Sequence, residues 1–195
     1  MILGISPEFE AKNEHAAIHQ LLDGGMDLFH IRKYHYSDEM LKTYIEKIDE
    51  IHRDRLVLHS HFHLAKELGI KRLHCNEKIR RTDLSFSTDG FAFSTSVHSI
   101  TDFNQLTDEW KYAFLSPVFP SISKKGYGTM QSVFGELGQR ENHTIALIAL
   151  GGIHAENYKN VRMQGADGAA LLGSIWQCPQ PLNILKKCKE IDRLF

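Results

Sequence analysis

Cysteine is scarce in this chain of 195 residues: Cys75, Cys178 and Cys188 are all there are. They are odd in number and show no CxxC spacing, so the pattern describes neither a disulfide framework nor a cysteine zinc site. Reduced, packed thiols in a cytoplasmic setting are the simplest account. Long apolar runs are missing too, and no stretch approaches the ~20 residues that a membrane span needs. The start, "MILGISPEFE", enters an apolar strand at once and does not read as a signal peptide. Charge of one sign is also lacking. Lys and Arg number 23 against 24 Asp and Glu, for a formal net charge of −1. That balance offers nothing to nucleic acid, and no block of like charge forms a tail. No linker or low-complexity tract divides the sequence, and its length suits one hydrophobic core, so residues 1–195 read as a single domain.

What is present is an alternation of strand and helix. Apolar runs at "MILGI", "MDLFHIRK", "RLVLHS", "KRLHCNE", "FAFSTSVHS", "YAFLSPVF", "TIALIALGGI" and "DGAALLGSIW" read as eight strands. Helical spacing follows most of them. In "HAAIHQLLDGG", Ala17, Leu21 and Leu22 share a face and glycine stops the helix. In "SDEMLKTYIEKIDEI", Ser37 is the N-cap, acids fill the first turn, and Leu41, Tyr44, Ile45 and Ile48 face inward. A helix after the third strand is expected to bury Leu64, Ala65 and Leu68, and "MQSVFGELGQR" reads as helical. The segment after the fourth strand, to Gly90, is poorly defined. Continuous apolar strands suit a parallel sheet covered on both faces. The predicted fold is therefore α/β, a compact (β/α)8 TIM barrel with short loops. The rival, an open doubly wound sheet, would want a Gly-rich turn after the first strand, and "GISPEFEAKN" supplies none.

In such a barrel, chemistry sits where strands hand over to loops. Strand seven ends in Gly151-Gly152 and strand eight in Gly173-Ser174. Glycine turns let backbone N–H groups approach an anion, so the two ends read as a phosphate site, against the alternative of mere tight turns. After strand six, Ser121, Ser123, Lys124 and Lys125 gather hydroxyls and ammonium groups in a Gly-rich loop. That composition suits either an anionic substrate or a solvated loop. At the end of strand two, His30 and Arg32 share a face toward the barrel mouth. An inward Arg there needs an anionic partner, from substrate or from protein.

The third strand ends in "HSHFH", with histidines at 59, 61 and 63. Alternating histidines invite a metal reading, since imidazole suits zinc and its neighbours. They share a face only while the strand continues, however, and a helix is expected to begin near 61 to 63. At most His59 and one neighbour would converge. His30, His74 and His98 also lie at strand ends, so the mouth is expected to be lined by histidine. The metal assignment stays open.

Taken together these segments resemble the thiamine-phosphate synthase family, which includes the TenI-type thiazole tautomerases. "FHIRK" resembles the family's Q-x-R-x-K, and "AKELGIKRLHCNE" its A-x-x-x-G-x-x-G-V-H-L-G segment. "STSVHS" resembles G-x-S-x-H, and "YAFLSPVFPSISKKGYG" resembles Y-x-x-x-G-P-V-F-x-T-x-T-K-x-G. "IALGGIHAENYKNVRMQGADGAALLGSIW" resembles the family's closing A-I-G-G-I…G-A-D-G segment. The likeness runs over nearly the whole chain. It implies an enzyme of thiamine biosynthesis that joins a pyrimidine diphosphate to a thiazole phosphate and releases diphosphate. Ser121, Ser123, Lys124 and Arg32 would then handle diphosphate, with Ser96 near the leaving group. Gly151, Gly152, Gly173 and Ser174 would hold the thiazole phosphate.

The departures fall on the metal site. The family's Mg²⁺-binding Asp positions read Ser60 and about Lys78 here, and Ser and Lys do not replace carboxylates. Glu77 is the one stand-in, if its loop is displaced by a residue. The family Lys of the strand-two motif falls on Tyr34, with Lys33 beside it. The histidines then mark where the chain gave up the Mg²⁺ carboxylate for neutral, titratable groups. Three functions follow: a synthase with altered metal support, a TenI-like tautomerase acting through His59, His98 or His30 without Mg²⁺, or a non-catalytic thiazole-phosphate binder. The tautomerases carry a His just before the strand-six V-F, where this chain has Pro117. In every case the partners are small phosphorylated molecules, not nucleic acid or membrane, with a homo-oligomer left open.

Overall fold

The computed structural model describes residues 1–81, 90–120 and 132–195. Eight parallel strands close into a barrel in strict chain order. They are β1 (Ile2–Ile5), β2 (Leu28–Ile31), β3 (Leu56–Leu58), β4 (Arg72–Cys75), β5 (Ala92–Val97), β6 (Trp110–Leu115), β7 (Ala146–Leu150) and β8 (Gly168–Leu171). The helices between and after them are α1 (Glu14–Asp23), α2 (Asp38–Glu46), α3 (Glu77–Arg81), α4 (Ile100–Asn104), α5 (Ala155–Met163), α6 (Gly173–Trp176) and α7 (Pro181–Asp192). The expected (β/α)8 barrel is the observed fold.

Strand parity divides the apolar residues into two shells, because successive side chains on a strand point to opposite faces. Leu3, Ile5, Leu28, Val57, Tyr112, Phe114, Ile148 and Ala170 fill the barrel interior. The outward set, including Phe29, Ile31, Leu58, Leu73, Leu115 and Leu147, packs under the helices. The same parity turns His30, His74, Ser94 and Ser96 inward.

Closure is pinned at the bottom of the barrel. The Met1 ammonium donates to the Asp167 carbonyl at 2.8 Å, and the Ile2 N–H donates to Asp27 Oδ2 at 2.6 Å. Ser37 caps α2 as expected, accepting from the Met40 N–H at 3.2 Å, and Leu41, Tyr44, Ile45 and Ile48 are buried. Behind β2, Lys33 and Glu14 form an ion pair of 2.9 Å at zero side-chain exposure. The Tyr44 hydroxyl also donates to Glu14, which ties α1 and α2 to the barrel wall.

Three elements differ from their expected form. After β3 there is a short 3-10 helix, Phe62–Leu64, followed by turns. His61 and Gly69 both adopt the left-handed conformation and bound this segment, which does not continue as a regular helix past Leu64. Leu64, Ala65 and Leu68 are buried nonetheless. The stretch read as helical after β6 begins outside the described residues, and its described part is the 3-10 helix Phe134–Gln139. Gly135 and Gly138 there disfavour a regular α-helix. The eighth strand ends at Leu171, and Gly173–Trp176 forms a helical turn. The undefined segment after β4 begins as α3, with Asn76 Oδ1 accepting from the Ile79 N–H at 3.0 Å.

Candidate active site at the barrel mouth

Three imidazoles from adjacent strands meet inside the mouth. His30 comes from β2, His59 follows β3 by one residue, and His74 comes from β4. One ring nitrogen from each lies within 4.8 Å of the others. His30 Nδ1 and His59 Nε2 share a hydrogen bond of 2.8 Å. The Tyr112 hydroxyl lies 2.8 Å from His30 Nε2. His74 bonds Ser94 through Nδ1 and Ser96 through Nε2, both at 2.9 Å. His59 and His74 stack with centroids 4.3 Å apart. Burial disfavours the charged form of every member and pushes His74 down to about 3. His30 and His59 are lowered by burial first and by neighbouring imidazoles second. All three are neutral near pH 7.

The histidine pattern at the end of β3 therefore splits. His59 joins its neighbours across the sheet, whereas His61 and His63 turn away from that cluster to other partners, though both border the same cavity as His59. His61 Nδ1 lies 2.8 Å from Ser60 Oγ and its Nε2 lies 2.8 Å from the Tyr36 carbonyl. His63 pairs with Asp38 at 2.8 Å. The left-handed turn at His61 is the cause, because it ends the strand before the alternation can continue. A cavity of about 780 Å³ opens beside His59, lined also by Tyr34, Phe62 and Asn76.

His98 sits higher, after β5. Its Nδ1–H donates to the Ser116 carbonyl at 2.8 Å, and its Nε2 lies 3.7 Å from Glu77 Oε2. Glu77 is held on its other oxygen by Arg81 at 2.6 Å. A carboxylate Mg²⁺ site does not fit these residues. Ser60 Oγ lies 2.8 Å from His61 Nδ1, and Glu77 is already paired with Arg81 and faces His98 Nε2. The only group of three or more candidate ligands among the described residues contains no carboxylate. Lys33, the neighbour of Tyr34 at the family Lys position, is paired with Glu14 behind the barrel wall and does not reach the mouth.

The anion-binding candidates are partly in view. Arg32 Nε is buried without a hydrogen-bond partner among the described residues, and so is Ser174 Oγ. Each is costly to bury unpaired and is suited to an oxygen-rich ligand. Gly151 and Gly152 have φ of +106° and +62°. A Cβ at Gly152 would meet Phe119 Cβ at 2.7 Å and also the Pro120 carbonyl, so this turn lies tight under the loop that follows β6. Gly173 opens the single turn of α6, one residue before Ser174. Ser121, Ser123 and Lys124, expected to hold diphosphate, lie outside the described residues.

Sequence reasoning passed over Ser6, Tyr34 and Tyr112 as site residues. Ser6 Oγ accepts from the Arg32 N–H at 2.8 Å, which sets the end of β2 against the end of β1. Tyr34 places its hydroxyl 3.4 Å from His59 Nδ1. The strand-end rule applied to β1, and inward parity applied to β6, would have found Ser6 and Tyr112.

Fold and mouth define a (β/α)8 barrel that carries polar and titratable groups at the C-terminal ends of its strands. Residues 2–175 match the family described as thiamine monophosphate synthase, and the chain belongs to that family. The thiamine-phosphate synthase of Bacillus velezensis is 22% identical over 184 residues, covering 90% of this chain and 82% of that one. That of Bacteroides fragilis is 25% identical over 188 residues, covering 87% and 89%. The solved thiamine phosphate pyrophosphorylase of Bacteroides thetaiotaomicron superposes with a TM-score of 0.79 at 24% identity, covering 100% of this chain and 98% of that one. The Pyrococcus furiosus protein of the same name gives 0.80 at 16%, covering 99% and 95%. At these identities the two structures speak for the fold. No helix among the described residues is long and apolar enough to cross a membrane.

Proposed function

We propose that this protein binds a thiazole phosphate and rearranges it by proton transfer, as the tautomerase branch of the family does, with His98 as the acid–base group. One observation carries this reading. The bond from His98 Nδ1–H to the Ser116 carbonyl fixes the ring and leaves Nε2 at the mouth, beside Glu77. That bond also sets the ring next to Pro117, the position where the tautomerases keep their own histidine. In this mechanism Nε2 takes a proton from one atom of the ligand and returns it at another, so no group leaves and no metal is needed. Gly151, Gly152, Gly173 and Ser174 receive the phosphate. Ser174 does so with a hydroxyl that has no hydrogen-bond partner among the described residues. His59 and His30 are then not the acid–base pair, because their facing nitrogens are already bonded to each other.

The synthase reaction is the second reading. It is favoured by Arg32, whose buried, unpaired Nε suits a diphosphate, and Ser96 would lie near the leaving group. It is weakened by the poor fit to Mg²⁺, because a departing diphosphate needs its charge neutralised. In both readings the partners are small phosphorylated molecules.

The test supplies thiazole phosphate precursor alone, then together with pyrimidine diphosphate, with and without Mg²⁺. Isomerisation without pyrimidine is the expected result. His98→Gln should slow it by about 10²-fold or more while thiazole-phosphate binding stays unchanged. Thiamine phosphate as the product, lost in Lys124→Ala, would replace this reading with the synthase. Saturable binding without turnover would replace it with a non-catalytic binder.

A further inference from the structure

We propose that His30, His59 and His74 form a transition-metal site inside the barrel, selective for a late first-row divalent ion such as Zn²⁺. Three observations support it, and none depends on the function proposed above. The first is convergence. Three strands in a row each deliver an imidazole to one point, with a nitrogen from each within 4.8 Å of the others. Tetrahedral zinc with Zn–N bonds of about 2.0–2.1 Å wants its nitrogens about 3.3 Å apart. The His30–His59 pair, at 2.8 Å, needs only to open slightly to admit an ion. His74, already stacked on His59 at 4.3 Å, closes from the third side.

The second is the outer shell. Metal-binding histidines usually donate their other ring N–H to an oxygen that fixes the tautomer. Each of these rings has such an oxygen. Tyr112 lies 2.8 Å from His30 Nε2, and Ser94 lies 2.9 Å from His74 Nδ1. Tyr34 lies 3.4 Å from His59 Nδ1. Ser94 donates its own proton to the Leu73 carbonyl, so it accepts from His74 and leaves His74 Nε2 with a lone pair. With Nε2–H of His30 on Tyr112 and Nδ1–H of His59 on Tyr34, the lone pairs of His30 Nδ1 and His59 Nε2 face each other, while that of His74 Nε2 accepts from Ser96 Oγ at 2.9 Å and is released to an ion when this hydroxyl rotates away. Reaching this state from the existing His30–His59 bond requires a tautomer shift in His59 and no net proton loss.

The third is chemical selectivity. No carboxylate or thiol belongs to the cluster, which disfavours Mg²⁺ and Ca²⁺ and leaves the borderline metals that imidazole suits. Burial keeps the rings in the neutral form that binds metal. The floor is aromatic, with Phe114 centred 4.8 Å from both His30 and His74. The fourth coordination position therefore faces the mouth, where His59 borders the cavity. Three histidines with one open position is the ligand pattern of catalytic zinc.

The experiment strips the purified full chain with chelator and titrates it with Co²⁺, followed by Zn²⁺. One ion per chain is expected, with an intense visible band typical of tetrahedral Co²⁺ that Zn²⁺ abolishes. The band should survive in the His61→Ala/His63→Ala double variant and vanish in His74→Ala. Tyr112→Phe keeps the ring packing and should weaken Zn²⁺ binding about 10–100-fold. Imidazole NMR of the unmodified chain provides a readout that needs no variant, since Zn²⁺ should move three of the 12 histidines to metal-bound shifts. No stoichiometric uptake, a weak octahedral spectrum, or uptake lost with His61 and His63 would overturn the site. Because nothing here is read from turnover, failure of the metal site and failure of the His98 mechanism are separable.

Discussion

Lys33 is the residue whose removal should cost most for its size. Its ammonium has no exposure and lies within 3.0 Å of Glu14 Oε2, while Tyr44 donates to the same carboxylate. Burial lowers the Lys33 pKa, and the Glu14 hydrogen bond opposes that fall. Lys33→Met would leave Glu14 buried and charged without its counter-ion. Urea unfolding should show a loss of about 3–5 kcal/mol. A much smaller loss would mean that water or another cation reaches Glu14. In sequence, Lys33 is one more cation in "HIRKY", next to the family motif. Only packing against α1 shows that it faces away from the mouth. The thiols divide in the same way. Burial pushes Cys75 and Cys188 up to about 12, so neither supplies thiolate near pH 8. Cys178 is only partly covered. A thiol reagent should therefore modify a single cysteine in the native protein and all three after unfolding.

The Gly151-Gly152 turn between β7 and α5 shows how one element controls the shape of the mouth. Gly152 has φ +62°, which costs a residue with a Cβ roughly 1–2 kcal/mol. An added Cβ would also press on Phe119 and Pro120, whose backbone follows β6. Gly152→Ala should lower the melting temperature and weaken thiazole-phosphate binding together, as read by calorimetry and ligand titration. An unchanged affinity would show that the turn carries no phosphate. The glycine pair was legible as a tight turn at the end of β7, but its close fit under the β6 loop was not. Local signals did well where chemistry is local, as at the Ser37 cap and the buried face of α2. They failed after β3, where a plausible apolar spacing gave way to left-handed turns at His61 and Gly69. The spacing still reported correctly that Leu64, Ala65 and Leu68 are buried, because burial needs a direction and not a regular helix.

The barrel closes only when β8 pairs with β1, so the last strand completes the hydrogen bonding of the first. Closure of that kind predicts one cooperative unit. Trp110 on β6 and Trp176 after β8 report from different parts of the wall. Their fluorescence and the far-UV circular dichroism should give superimposable unfolding curves in denaturant. Separate midpoints would mean that part of the barrel opens alone, against a single domain over residues 1–195.

Strand number, inward parity and the glycine and arginine ends were all written locally, in periods of two and in turn chemistry, and they were sufficient to name the barrel. The resemblance in the β6, β7 and β8 segments named the family. Which inward side chains meet was a different matter. His30, His59 and His74 are separated by 29 and by 15 positions, and although the expected end of the strand near 61 to 63 favoured His59 within "HSHFH", nothing in the spacing joined it to His30 and His74 in one cluster. The alignment of His30 with Val57, two positions before His59, and of Leu58 with Leu73, beside His74, brings the three rings to one level of the barrel. Register between strands is set by closure of the whole sheet and by the packing of both shells. It has no signature within any one strand.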